Sequence, residues 1–331
     1  MIARSTVLKP ILRLSAAEFP KMAAKQFGLG DTIYDVWDRF APVANTLVDS
    51  FWHTIDHPHP HDLHAWLSQH EPQVRGVAYE GAGMGLALLD VVQPRPQRLA
   101  TFIAGPGHAF EPLLFIGAGM ALPRPRVNPL RLIGGYESDN RWLILDGYGF
   151  YYGFFDPHRT LRRQNRPRHI SGYPARVFDR GLGRSLWFTT AADPHRIAAV
   201  INTFPAHRRG DLWAGVALGC AYAAGVLEPG TIAEMVELAA PYQADLAVGV
   251  AAAADFRYRA ACPAAHTDTA CQVVWGMDAA ALTAHLAAAP ISTSPGPNDL
   301  SDIPAHEHRR HVIAAMWHAR PANTPTSRSE R

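Results

Sequence analysis

The chain has 331 residues, with 31 Lys+Arg against 29 Asp+Glu and a formal net charge of +2, so it lacks the cationic excess of a nucleic-acid binder. Hydrophobic residues are 48 % and charged residues 18 %, enough apolar material to form a large core without disulfide or metal support. Three cysteines, Cys220, Cys262 and Cys271, make an odd set for a disulfide framework and fit a reducing, cytoplasmic compartment.

From the N-terminus, Met1 to Leu14 holds no long apolar core and does not read as a signal peptide. Gly and charged residues interrupt every apolar run, so no stable membrane insertion is expected. Asp31 can cap a helix whose apolar positions are Ile33, Val36, Trp37 and Phe40. After Pro42 the pattern resumes at Val43, Leu47, Phe51 and Trp52, so Pro42 should kink or divide the run. Ile33, Tyr34 and Trp37 would form one buried stripe.

His53, His57, His59, His61, His64 and His70 follow, with His57 to His61 expected as an extended, proline-stiffened loop. Such tracts can take up Zn²⁺ or Ni²⁺, or simply lie on the surface. The run Trp142 to Phe155 concentrates aromatic residues around Asp146. Arg159, Arg162, Arg163, Arg166, Arg168 and His169 then form a basic run, read as a solvated loop or a contact for an anionic partner.

Further helix starts have identifiable causes. Asp193-Pro194 pairs a capping carboxylate with a proline at the first helical position. Thr231 to Glu234 has capping-box spacing, and Asp278 precedes an alanine-rich run that Pro290 would follow. Gly225 should close the helix that begins near Asp211. Residues 1–290 read as a single helical domain; 291–331 read as a linker, one helix from Ala305 to His318 and a disordered tail.

Gly-x-Gly pairs begin at Gly81, Gly117, Gly147 and Gly181, and a Gly215…Gly219 pair follows, at intervals of 36, 30, 34 and 34 residues. A period of about 34 suits stacked antiparallel helix pairs, with glycine permitting close backbone approach. Chance in a chain with 26 glycines is the alternative. The predicted fold is therefore all-α, in a HEAT-like or related helical-repeat architecture.

Five segments carry a family resemblance: Val74 to Asp90, Asp146 to Phe150, Arg176 to Trp187, Asp211 to Gly215, and Ala265 to Cys271. In order and spacing they resemble the UnbL-type family, from about Leu14 to Ala289. That resemblance implies bacterial secondary metabolism beside the iterative polyketide synthases of enediyne pathways, which make linear polyenes. It brings no established catalytic residues.

Polar groups in apolar surroundings are the candidates for chemistry. Glu80 is the only charged residue between Arg75 and Asp90. It reads either as a carboxyl with a raised pKa, able to donate a proton, or as a helix-start carboxylate bound to backbone N–H groups. Asp146 would share a face with Trp142 and Phe150, as an acid among π-faces or as one hydrogen-bonded core residue. Tyr79, Trp142, Tyr148, Phe150, Tyr151, Trp187 and Trp213 are the pocket candidates. Asp179, Arg180, Arg184 and Asp211 suggest an ion-pair cluster, and His266 and Asp268 a further polar support. Cys262-x3-His266-x4-Cys271 matches no common zinc pattern, and no metal or cofactor is expected.

No Walker A loop, dinucleotide fingerprint or Gly-x-Ser-x-Gly elbow is present. The expected activity is cofactor-independent isomerisation or cyclisation of a linear polyene or isoprenoid, by Asp146 and Glu80 in an apolar, aromatic-lined pocket. The alternative is a non-catalytic accessory protein that binds the polyene or docks on the polyketide synthase. A third reading is a metal-dependent oxygenase or hydrolase built on the histidine segment.

Overall fold

The computed structural model describes residues 4–12, 14–27, 32–93, 97–223, 228–289 and 304–320. It is 79 % helical, with no strand among the described residues, as the periodicity predicts. In chain order the helices are α1 (Arg4–Leu12), α2 (Phe19–Phe27), α3 (Thr32–Asp56), α4 (Pro60–Leu67), α5 (Pro72–Val92) and α6 (Arg98–Ala104). Next come α7 (Glu111–Ala121), α8 (Pro129–Ile133), α9 (Leu143–Phe155), α10 (Tyr173–Thr189), α11 (Pro194–Asn202) and α12 (Ala206–Ala223). The last are α13 (Pro229–Leu238), α14 (Gln243–Arg259), α15 (Ala265–Trp275), α16 (Ala279–Ala287) and α17 (Ala305–Ala319).

Several boundaries follow local chemistry. The Asp193 carboxylate accepts from the Arg196 N–H at 3.1 Å and starts α11; Asp278 accepts from Ala281 at 2.7 Å and starts α16. Others depart from expectation. Pro42 lies inside α3, which runs unbroken to Asp56. Thr231 caps nothing, because Pro229 already occupies the first turn of α13. The Asp211 helix begins earlier, at Ala206. Pro60 starts α4, so His61 and His64 are helical and the histidine loop is short. Tyr34 is 40 % exposed while Trp37 is buried, so they do not share a core stripe. Asp31, Gly225, Pro290 and most of 291–331 lie outside the described residues.

The glycine pairs explain the architecture. Positions i and i+2 on a helix point about 200° apart, so a Gly-x-Gly pair opens two nearly opposite flanks. Gly81 packs on the α3 backbone at Leu47, and Gly83 on the α7 backbone at Leu114. The pattern repeats along α7, α9 and α10, each helix wedged between two neighbours, whereas Gly215 and Gly219 of α12 both face α10. A Cβ at Gly117 would lie 1.8 Å from the Glu80 carbonyl oxygen, so no larger residue fits that crossing. Contacts ascend together along both partners: Gly149 meets Phe178 and Gly153 meets Ser185. Neighbouring long helices α9 and α10 thus run parallel, and so do α10 and α12, where Gly215 meets Arg180 and Gly219 meets Trp187. Parallel neighbours need a returning segment, which α11 supplies between α10 and α12 and the connection 156–172 supplies between α9 and α10. The repeat is a real packing device, built of long glycine-bearing helices and short return segments.

The C-terminal helix α17 belongs to the same packed body. Glu307 is buried and pairs with Arg176 at 2.6 Å and with Arg180; the Trp317 Nε1–H donates to the Val274 carbonyl at 3.4 Å. No single helix among the described residues is long and apolar enough to cross a membrane.

Candidate functional site

The long helices share one inner face, and its wider end encloses a partly open cavity of about 100 Å³. On α5 the lining residues are Val77, Glu80, Met84 and Leu88, a single helical stripe lying between the Gly81 and Gly83 flanks. From Val77 to Leu88 that stripe spans about 16 Å along the axis. The opposite wall is aromatic: Trp37 and Phe40 from α3, Phe150 and Phe154 from α9, and Phe188 from α10. Phe40 and Phe188 lie 5.1 Å apart between centroids, and Phe150 meets Phe188 edge-on at 5.8 Å. Phe19 of α2 closes the side by an edge contact on Phe154 at 5.4 Å. Leu88, Tyr151 and Arg124 lie at the more exposed end.

The deep end is closed by charge. Arg184 donates from Nη1 to Glu80 Oε1 at 3.0 Å and from Nε to Asp146 Oδ1 at 2.8 Å. All three side chains are buried. Glu80 faces the aromatic cavity, whereas Asp146 lines a second cavity of about 80 Å³ beside Arg180, His306 and Arg310. Leu218 and Phe256 line both cavities, so the acid–arginine–acid bridge divides one continuous inner face. The two carboxyls therefore converge on one guanidinium from opposite sides. Asp146 is not ringed by the aromatic wall; Arg184 stands between, its guanidinium carbon 4.3 Å from the Phe150 ring centre.

Burial pushes the pKa of both carboxyls up, and Arg184 pulls both back. The rest of the field separates them. Asp146 also feels Arg180 and Arg310, while Glu80 feels the Asp146 charge against it. Two carboxyls on one buried cation cannot both ionise cheaply, and the Asp146 charge adds to the upward push on Glu80. Burial opposes the Arg184 charge too, but Asp146 and Glu80 outweigh it and hold its pKa above the ordinary value.

Three buried polar atoms on cavity-lining residues have no hydrogen-bond partner among the described residues: Trp37 Nε1, Arg184 Nη2 and Tyr222 Oη. An orphaned buried donor costs about 1–3 kcal/mol.

The family described as protein of unknown function (DUF1702) matches residues 6–317. The chain belongs to this family. No curated protein and no solved structure matches it.

Of the aromatic residues singled out in this DUF1702 chain, Phe150 and Tyr151 line the aromatic cavity and the others do not. Tyr79 stacks on Phe110 at 3.6 Å and shares a 2.7 Å hydrogen bond with His64 Nδ1. Tyr148 packs edge-on against Tyr152, and Trp142 against Tyr173. Trp187 and Trp213 are fully enclosed core residues. Sequence reasoning missed Phe19, Phe40, Phe154 and Phe188 as one wall, because they come from four helices. Helical spacing marked Phe40 as core-facing but could not mark a shared void.

The supporting polar residues are structural. Asp179 pairs not with Arg180 or Arg184 but with Arg208 at 2.7 Å and with Arg166, which ties the basic run to the core. Arg180 and Arg176 both hold Asp211, each at 2.9 Å. Hence α10 carries Arg176, Arg180 and Arg184 as a ladder at one-turn spacing: the first two share Asp211 and Glu307, and the third holds Glu80 and Asp146. His266 Nε2 lies 2.9 Å from the Tyr222 carbonyl, and burial followed by the Arg257 charge lowers its pKa to about 4. Asp268 accepts from the Ala279 N–H at 3.1 Å. Cys220, Cys262 and Cys271 are buried free thiols. His53 stacks on Trp66 at 3.9 Å, and no group of three or more His, Cys, Asp or Glu among the described residues is arranged to hold a metal ion.

Proposed function

We propose that this protein is a cofactor-independent isomerase or cyclase of a linear polyene or isoprenoid, with Glu80 as the proton donor. One observation carries the reading: a buried acid, its pKa pushed up by burial, faces a cavity walled by aromatic rings. Glu80 gives its proton to an alkene carbon and the adjacent carbon becomes cationic. The faces of Trp37, Phe40, Phe154 and Phe188 stabilise that charge as it spreads. Another C=C of the chain supplies the electron pair for ring closure, or the double bond shifts. The Glu80 carboxylate, held by Arg184, then takes a proton from a neighbouring carbon and returns to its starting state. The product is an isomer of the substrate, so the balance needs no redox partner. Asp146 acts through Arg184 as a positioning residue, because it does not face the aromatic cavity.

The resemblance to UnbL-type sequences supports a source for such a substrate, a polyene made by an iterative polyketide synthase of natural-product biosynthesis. A second reading is favoured by the Arg184 clasp itself: an acid fixed in an ion pair can serve binding alone, as in an accessory protein that shields a polyene. Co-expression with the neighbouring synthase, with and without this chain and its Glu80→Gln variant, separates the two by product mass spectrometry. A product requiring Glu80 supports the catalyst. An unchanged profile with polyene retained by the purified protein refutes catalysis and leaves the binder.

A further inference from the structure

The cavity has an arginine at each end, but the two differ in what already satisfies them. Arg184, at the buried end, contacts two carboxyls, so the local charge there is balanced or negative. Arg124, at the exposed end, lines the same cavity and has no ion pair or hydrogen bond among the described residues. It stands on the connection just past the end of α7, in the segment Leu122-Pro-Arg-Pro-Arg126, with Arg126 exposed beside it. Gly117 touches the Glu80 backbone, and α7 runs about 6 Å further along its axis to Ala121, with Arg124 on the connection beyond. Between them the lining is Ile116, Met120, Ala121, Met84 and Leu88.

We infer that the ligand is an amphipathic anion: a linear unsaturated chain whose acidic head group, carboxylate or phosphate, binds Arg124 at the rim while its apolar tail reaches Glu80. An anion at the deep end would have to lose its hydration beside two acids, which is costly. At the rim it keeps part of its hydration and meets an unopposed guanidinium. The inference rests on the reading of the cavity as a polyene site, and it fixes the direction of the chain. Glu80 then addresses the end of the chain remote from the head group, so protonation begins at that end and leaves the head intact.

Direct binding tests this with cis-parinaric acid, a fluorescent tetraene carboxylate, and its methyl ester. The full-length wild-type protein should bind the acid more tightly than the ester, and added salt should shrink the difference. Arg124→Ala should weaken the acid about fivefold, the size of a partly exposed ion pair, and leave the ester unchanged. Arg124→Lys should recover part of the loss. Dodecyl phosphate as a competitor distinguishes the head groups: stronger displacement than by lauric acid assigns the rim to phosphate, and weaker displacement assigns it to carboxylate. Equal wild-type affinity for acid and ester, or equal loss of both in Arg124→Ala, overturns the rim site while leaving the polyene cavity standing. Failure of both probes to bind the wild type overturns the cavity reading with it. A Glu80→Gln variant that keeps the acid preference yet loses no product refutes catalysis alone.

Discussion

Gly117→Ala tests the packing that shapes the cavity. Its Cβ would lie 1.8 Å from the Glu80 carbonyl oxygen, 2.8 Å from the carbonyl carbon and 3.0 Å from the Met84 nitrogen. An ordinary carbon–oxygen contact is about 3.3 Å or more, so α5 and α7 must separate locally by about 1.5 Å. The obstructing atoms are backbone and cannot rotate away. Overpacking costs about 1–3 kcal/mol, and a backbone clash belongs at the upper end. Alanine's better helix propensity returns about 1 kcal/mol. The net loss of about 2 kcal/mol should lower the melting temperature by about 3 °C in a chain of this size. Because the clash is with Glu80 itself, polyene binding should weaken as well. Gly230→Ala is the control, since nothing lies within 4 Å of its Cβ. Thermal melts by far-UV circular dichroism decide the matter. If Gly117→Ala melts together with the wild type and Gly230→Ala, the close crossing is not what holds these helices, and the argument fails.

Three further substitutions probe the polar groups. Tyr222→Phe removes a buried hydroxyl with no partner, so it should raise stability by about 1 kcal/mol in a urea melt; a loss of that size would mean that the hydroxyl has a partner in the folded protein. His266 has a folded pKa of about 4 against an ordinary 6.5. Its contribution is therefore complete above pH 6.5 and lost as the pH falls toward 4, about 3 kcal/mol at most. His266→Gln should flatten stability across that interval, and an undiminished slope in urea melts would assign the acid limb to other groups. For Glu80 the sign is opposite. Its raised pKa gives stability that is present below the ordinary carboxylate range and lost as the pH climbs through the folded value. Glu80→Gln should remove that decline, and its persistence would place the proton elsewhere.

Much of the helix pattern was legible in the sequence because its causes are local. Apolar residues at Val36, Trp37, Phe40, Val43 and Leu47 specify a buried stripe whatever surrounds them. The Asp193 and Asp278 caps act within one turn. The Gly-x-Gly intervals announced close helix packing, because a missing side chain on two opposite flanks has one main use in a helix. Glu80 and Asp146 stood out because an isolated carboxyl in an apolar run must find a partner.

The tertiary structure decided which partner, and on which side. Arg184 lies 104 residues from Glu80 and 38 from Asp146, and no local rule joins them. The assembled helices put one acid toward the aromatic cavity and the other toward a second chamber. They also sorted the aromatics, sending Trp187 and Trp213 into the core and gathering Trp37, Phe40, Phe154 and Phe188 into a wall. Periodicity says only that a side chain faces inward. Whether it meets packed atoms or empty space depends on the separation of helices distant in sequence, and in this chain the glycine crossings set that separation.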